Sequence, residues 1–140
     1  KAGVCDVMLF SDSAKYVTLN KYDSTLSLAK WLQGQAQSAG TDFHCIFRTA
    51  SRAYDRVIIL SDMQGWIGHT TPVATFQQWK AHHGCDPKVF SFDLKGYGTL
   101  QFPERQVYCL AGFSDKTLDT LKQLDADPGA LIRQIEAVPL

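Results

Sequence analysis

Several common functional signatures are missing from this chain of 140 residues. It has no phosphate loop of the form G-x-x-x-x-G-K-[ST] and no Gly-x-Ser-x-Gly elbow, which argues against a P-loop nucleotide site and against a serine hydrolase. Fourteen basic and fourteen acidic residues cancel, so no bulk charge attracts nucleic acid or an anionic membrane. No apolar run approaches the length of a membrane span. We therefore expect no membrane partner.

The chain also lacks any C-x-x-C pair. Its four cysteines, Cys5, Cys45, Cys85 and Cys109, are widely spaced, and three of them lie in apolar segments, where free thiols usually behave as small core residues. This usage favours a reducing compartment, and we expect a cytoplasmic protein. The chain begins with Lys1, and we expect it to be part of a longer protein.

The segment from Arg56 to Gln64 is the one around which the chain is organised. Four consecutive apolar residues, 57–60, are mostly β-branched and stand between polar ends. This pattern predicts a strand buried on both faces, as in a parallel sheet. Ser61 and Asp62 follow directly, at the end of the strand where open α/β sheets place their ligands.

Strand-like and helix-like segments alternate along the rest of the chain. The patterns predict strands at 4–10, 16–19, 57–60, 89–92 and 107–110, and helices at 24–39, 42–54 and 73–83, from Ser114 or Asp115, and from Pro128. The first two strands are predicted to form a β-hairpin. We predict one α/β domain over 1–140, a doubly wound and mainly parallel sheet with helices on both faces and one antiparallel edge strand.

Two oxygen-bearing pairs suggest a metal site. Thr41 and Asp42 open one predicted helix, and Ser61 and Asp62 end the next strand. Both loops can meet at one rim of such a sheet, and hydroxyl and carboxylate oxygens with water are what Mg²⁺ prefers. Helix capping explains Thr41 or Asp42 equally well.

Other chemistries have less support. An α/β enzyme that uses Asp62 in metal-assisted phosphoryl chemistry would need a second titratable group, but position 64 is Gln. Gly96-Tyr97-Gly98 lacks the third glycine of a dinucleotide fingerprint. His82-His83 has no partner pair for zinc and is typical of a helix end.

The order of these pieces resembles a von Willebrand factor A domain. Gly40-Thr41-Asp42 and Leu60-Ser61-Asp62 match the second and third elements of that family's metal-ion-dependent adhesion site (MIDAS). The runs Phe92–Gly98 and Ala111–Asp115 look like the A domain of bacterial Ro (TROVE) proteins. The resemblance covers nearly the whole chain.

The resemblance implies a binding domain and no enzyme. Thr41 would coordinate Mg²⁺ through its hydroxyl, Asp62 would act directly or through water, and one position would stay open for an acidic group of a protein partner. Gln64, Trp66 and His69 would line the rim. In Ro ribonucleoproteins the A domain lies beside a ring of helical repeats that binds small non-coding RNA, so RNA contacts would lie mostly outside this chain.

One departure from the family matters more than the matches. The first MIDAS element, Asp-x-Ser-x-Ser, is absent, because Asp12-Ser13 is followed by Ala14 and position 16 is Tyr. The chain thus resembles an A domain without its first strand and helix. That strand is central in the family, and losing it would bare backbone groups at roughly 1 to 3 kcal/mol each. We expect an N-terminal segment of the same parent protein to supply it; a metal-free scaffold is the other alternative.

Overall fold

The structure, a computed structural model, describes residues 5–36, 40–65 and 71–138. Its elements in chain order are β1 (Val7–Phe10), β2 (Ala14–Val17), α1 (Thr25–Gln35), α2 (His44–Thr49), β3 (Arg56–Ser61), α3 (Pro72–His83), β4 (Lys88–Asp93), β5 (Val107–Ala111), α4 (Asp115–Ala126) and α5 (Ala130–Glu136). The α/β class predicted from the alternation of strands and helices is confirmed.

The chain divides into two compact units. The hairpin unit comprises Lys1–Ala53 and Gly65–Gly84 and contains β1, β2, α1, α2 and α3. The parallel-sheet unit comprises Tyr54–Gln64 and Cys85–Leu140 and contains the other elements. The described strands form two sheets, a two-stranded antiparallel one and a three-stranded parallel one. A single sheet with one antiparallel edge strand was expected instead.

The parallel-sheet unit is built on the strand order β3-β4-β5. Ile58 lies opposite Phe90, and Leu60 lies opposite Phe92. Because opposite residues of paired strands point to the same face, these four side chains share one face of the sheet. Leu124 of α4 belongs to a buried cluster on this face. The cluster consists of Phe90, Phe92, Leu110 and Leu124, with Tyr108, Leu118 and Leu121 packed against it. Helix α4 therefore covers this face over β4 and β5.

Helix α4 is stabilised by an N-cap at its start and by an ion pair with β3 near its end. Ser114 is the N-cap, and its Oγ accepts a hydrogen bond from the Thr117 N–H at 3.3 Å, as predicted from the sequence. Near the other end, Asp125 pairs with Arg56 of β3. The last helix begins at Ala130 and not at Pro128, because Asp127 Oδ1 accepts from the Gly129 N–H at 3.0 Å and forms a turn there.

The hairpin unit has an aromatic core between α2 and α3. The ring centroids of Phe47 and Phe76 lie 4.6 Å apart, and those of Phe47 and Trp79 lie 5.3 Å apart. Helix α2 is shorter than its apolar stripe predicted, because the backbone turns extended at Ala50. The Ala50 carbonyl instead accepts a hydrogen bond from Trp79 Nε1 at 3.0 Å. The Ala50 carbonyl, which lies beyond the last helical hydrogen bond, is thus satisfied by a tertiary contact.

Truncation of the sheet core should be costly. Phe92 is 0% exposed, so Phe92→Ala should lower the free energy of unfolding by about 3 to 5 kcal/mol through lost burial and the remaining cavity. Leu100→Ala, at a side chain 43% exposed in the same unit, should change it by about 0.5 kcal/mol or less. Urea unfolding of both variants is the measurement, and equal losses would contradict this packing.

Candidate functional site at the carboxyl ends of the parallel strands

Asp62 stands in a tight turn directly after β3. Its Oδ1 accepts a hydrogen bond from the Gln64 N–H at 3.2 Å, and Ser61 Oγ accepts from the Met63 N–H at 3.2 Å. Met63 has a positive φ of 57°, which makes the turn sharp. Asp62 is half-buried. Within the described residues its second oxygen, Oδ2, accepts no hydrogen bond, so one carboxylate oxygen remains available to a ligand.

The turn after β3 is tied to the loop that follows β4. Gln64 Nε2 donates to Thr99 Oγ1 at 2.9 Å, and Gln101 Nε2 donates to the Met63 carbonyl at 2.7 Å. Gln64, expected at the rim, is thus held against this loop by its amide. The other two expected rim residues, Trp66 and His69, lie outside the described residues.

Asp93 is a second carboxylate at this end of the sheet, and the sequence did not single it out. It ends β4, lies opposite Ser61 in the register and is 1% exposed. Its Oδ1 accepts from the N–H groups of Lys95 (3.2 Å) and Gly96 (2.8 Å), and its Oδ2 accepts from Gly98 (2.7 Å). The carboxylate therefore organises the loop 94–98 from inside.

The conformation of this loop requires its two glycines. Gly96 and Gly98 have φ values of 73° and 75°, in the left-handed region that side chains with a Cβ disfavour. A Cβ at either position would meet no atom within 4 Å, so backbone strain and not lack of space demands glycine. The sequence signal for Asp93 was an acid at a strand end followed by Gly-x-Gly.

These hydrogen bonds determine the charge state of Asp93. Burial raises the pKa of the carboxyl, but the backbone N–H groups of Gly98, Gly96, Lys95 and Tyr97 stabilise the anion and hold the pKa below its ordinary 3.8. Asp93 is therefore ionised at neutral pH, and both of its oxygens accept hydrogen bonds from its own loop. It is poorly suited to donate a proton.

In the hairpin unit the predicted Thr41-Asp42 pair precedes α2. Asp42 is 6% exposed, its Oδ1 accepts from the N–H of His44 at 2.8 Å, and its own N–H donates to the Ser11 carbonyl at 2.7 Å. Helix α2 begins at His44 and its N-cap is Phe43, which makes no side-chain cap hydrogen bond, so the prediction of Thr41 or Asp42 as the N-cap is wrong. The Asp42 carboxylate instead accepts from the first N–H of the helix from one residue further out. The half-buried Thr41 keeps its place as the candidate ligand of this unit.

Gly65 packs tightly within the same unit. A Cβ built on Gly65 would lie 2.5 Å from Cδ2 of Phe43, whose ring is 1% exposed. Any side chain there would have to displace a buried aromatic ring, so glycine at position 65 is a packing requirement.

Each unit contains one of the two residues predicted to bind a divalent cation. Thr41 offers a hydroxyl in the hairpin unit, and Asp62 offers a carboxylate oxygen in the parallel-sheet unit. These are hard oxygen ligands of the sort that Mg²⁺ takes alongside several waters. In the described part of the chain, no group of three or more His, Cys, Asp or Glu side chains could hold a metal ion. A zinc site at His82-His83 therefore gains no support there.

Comparisons with known proteins give no family for the chain: no family model matches it, and no curated protein matches it. Among the described residues, no helix is both long enough and apolar enough to cross a membrane.

The Asp93 carboxylate should make stability depend on pH in a defined direction. Since its folded pKa lies below the ordinary 3.8, its contribution is fully present above that value and is lost as pH falls through the folded pKa. Asp93→Asn should lower the urea midpoint of unfolding at neutral pH. The difference in urea midpoint between this variant and wild type should become smaller below pH 3.8.

The control for this variant is Glu136→Gln, which neutralises an exposed carboxylate of α5. Its urea midpoint should follow that of wild type at every pH. A deficit of Asp93→Asn that stayed constant from neutral to acidic pH would contradict the assignment of an ionised carboxylate to this loop.

Cys45 reports on the region around Thr41 and Asp42. Its Sγ lies 2.9 Å from the Asp42 carbonyl oxygen, and burial, followed by the charges of Asp42 and Asp12, raises the pKa of the thiol to about 11. Alkylation of the folded chain at pH about 8 should modify the exposed Cys5 and spare Cys45, because thiolates are the reactive form. Equal labelling rates, read by peptide mass spectrometry, would show that this turn is not formed.

Proposed function

We propose that this chain is the larger, C-terminal part of a von Willebrand factor A-type domain, and that it serves as a non-catalytic, Mg²⁺-dependent binding domain of a Ro-like, RNA-associated protein. The observation that carries the proposal is the position of Asp62. It follows the first strand of a parallel sheet and retains one carboxylate oxygen without a hydrogen bond among the described residues. Ligands of open α/β sheets bind at this end of the strands.

Each proposed ligand residue has a defined task. Thr41 would contribute its hydroxyl, and Asp62 would contribute its carboxylate directly or through a water molecule. Bound Mg²⁺ would supply a positive site for a carboxylate of a protein partner, with waters filling further positions. Gln64, Trp66 and His69 are the residues proposed to contact that partner at the rim. The absent Asp-x-Ser-x-Ser element would complete the ligand set from another segment.

A missing central strand belongs to the same proposal. Among the described strands, β3 has a neighbour on one side only, whereas β4 has two. We propose that an N-terminal segment of the parent protein supplies the first strand beside β3 and completes a doubly wound sheet with helices on both faces. Parallel sheets are usually buried on both faces and at their centre, which a strand order ending at β3 does not provide.

The proposal assigns no catalytic step to the chain. Its second rim carboxylate, Asp93, is committed to three backbone N–H groups, so Asp62 gains no acid or base partner from it. The zero formal net charge is consistent with RNA being bound by another domain of the parent protein, since RNA contacts depend on Lys and Arg. We propose a cytoplasmic location on the basis of cysteine usage.

Metal titration of the chain with two variants tests this function. Mn²⁺, an EPR-visible substitute for Mg²⁺, should bind wild type, and Asp62→Ala and Thr41→Val should each weaken it roughly tenfold, which corresponds to about 1.4 kcal/mol. Glu136→Gln removes an exposed carboxylate elsewhere and should leave binding unchanged.

Two outcomes would reject the proposal. Binding that is absent in wild type would favour a scaffold without a metal, and binding that both variants leave unaffected would mean that the ion is held elsewhere; either result rejects the site at Thr41 and Asp62. Mg²⁺-dependent release of phosphate from p-nitrophenyl phosphate by wild type, abolished in Asp62→Ala, would favour the alternative of phosphoryl chemistry.

A further inference from the structure

A groove lies between helices α2 and α3 of the hairpin unit. Its volume is about 380 Å³, within the range of small-molecule binding sites. Phe47, Ala50 and Trp79 line the groove and are buried, so they form its floor. The hydrogen bond from Trp79 Nε1 to the Ala50 carbonyl joins α3 to the end of α2 there. The floor is therefore apolar, and its position is fixed by a contact between the two helices.

The remaining lining of the groove is polar and rich in hydrogen-bond donors. It consists of Arg48, Ser51, Thr75, Gln78, His82 and His83. The hydroxyl of Thr75 is already engaged, because it lies 2.7 Å from Nδ1 of the buried His44. Among the described residues, no aspartate or glutamate lines the groove, and the guanidinium of Arg48 carries a permanent positive charge. This combination favours an anion as the ligand.

Most of these donors are not used inside the protein. Arg48 Nη1 lies 3.8 Å from Asp42 Oδ2, which is longer than a hydrogen bond. The side chains of Gln78 and His82 make no hydrogen bond to any described residue, and the ring of His82 meets only that of His83, at a centroid distance of 4.8 Å. Water hydrates these donors in the free chain, so a ligand can replace that water without breaking an internal hydrogen bond.

Helix dipoles alone offer a simpler account of the basic residues. Arg48 lies in the last turn of α2, and Lys80, His82 and His83 lie in the last turn of α3, where cations are favoured. This account explains the residue types, but it does not explain why donors of two helices line one groove above aromatic rings. Lys80, in the same turn, lies instead over the ring of Phe76 at 4.8 Å and does not line the groove. A ligand accounts for the convergence.

We infer that the groove between α2 and α3 binds a small organic phosphate. The phosphate oxygens accept hydrogen bonds from Arg48, Gln78 and His82, and the apolar group of the ligand packs on Phe47 and Trp79. A phosphate monoester offers three strongly accepting oxygens, one more than a carboxylate, and the planar guanidinium matches the geometry of a phosphate. None of the groove residues belongs to the proposed metal site, so the inference goes beyond the proposed function and requires no metal ion.

Titration of the full chain with phenyl phosphate, followed by NMR in the presence of EDTA, tests the inference. The reporter is the indole N–H of Trp79, which donates to the Ala50 carbonyl at the floor of the groove. Phenyl phosphate should shift this signal in a saturable way. Inorganic phosphate and benzyl alcohol should each bind at least roughly tenfold more weakly, because each makes only one of the two kinds of contact.

Three variants separate binding in the groove from nonspecific attraction of an anion. Arg48→Gln should weaken phenyl phosphate binding roughly tenfold, because a hydrogen bond to a charged group is lost. His82→Phe keeps a ring beside His83 and removes the N–H donors, so binding should weaken about threefold or more. The control Lys30→Gln removes an exposed cation of α1 in the same unit and should leave binding unchanged. A dispersed NMR spectrum shows that each variant is folded.

Four results would overturn the inference. One is the absence of a saturable shift of the Trp79 indole. Another is equal affinity of Arg48→Gln and Lys30→Gln, which would leave the helix dipoles as the whole explanation of the basic residues. The third is binding of benzoate as tight as that of phenyl phosphate, which would assign the groove to a carboxylate. The fourth is equally tight binding of benzyl alcohol, which would make the groove an apolar site. EDTA removes metal ions, so the failure of the proposed Mg²⁺ site would leave all these results unchanged.

Discussion

The parallel ladder between β3 and β4 is the constraint on which the candidate site and the proposed position of the missing strand both depend. Its register sets Ser61 opposite Asp93, which brings the turn after β3 and the loop after β4 to the same end of the sheet. On its other side, β3 pairs with no strand among the described residues. One pairing thus defines a rim where a ligand can bind and an edge where another strand can pair.

The two aspartates at this rim have different tasks because their surroundings differ. Asp93 is buried and receives three backbone N–H groups, so its charge is used to shape the loop with Gly96 and Gly98. Asp62 is half-buried and binds only the Gln64 N–H among the described residues. In the proposed function, Asp62, which makes fewer hydrogen bonds, binds the metal ion, and Asp93, which makes more, holds the loop.

Sequence patterns predicted the elements well where local rules decide the outcome. The strand at 57–60, the Ser114 cap and the inward Phe76 and Trp79 are found in the structure. The expectation that this strand is buried on both faces is wrong, because Ile58 and Leu60 are 52% and 50% exposed. Local rules failed where a distant residue intervenes: α2 stops at Ala50, whose carbonyl Trp79 engages. Asp93 was missed for a similar reason, since its carboxylate accepts hydrogen bonds from N–H groups up to five residues ahead. The run Phe92–Gly98 was interpreted only as an incomplete nucleotide motif and as a resemblance to Ro A domains. The proposed role of Thr41 and the MIDAS interpretation stay predictions from resemblance.

Mass spectrometry of the folded protein isolated from its own cells, first native and then denaturing, shows whether a companion segment completes the sheet. We expect a companion segment that contains Asp-x-Ser-x-Ser, either within one longer polypeptide or as a second, smaller polypeptide in stoichiometric amount that separates from the 15.6 kDa chain on denaturation. That result would identify the missing strand and the missing metal ligands together. A single 15.6 kDa species that is folded would contradict it, because the sheet would then be stable without a companion segment.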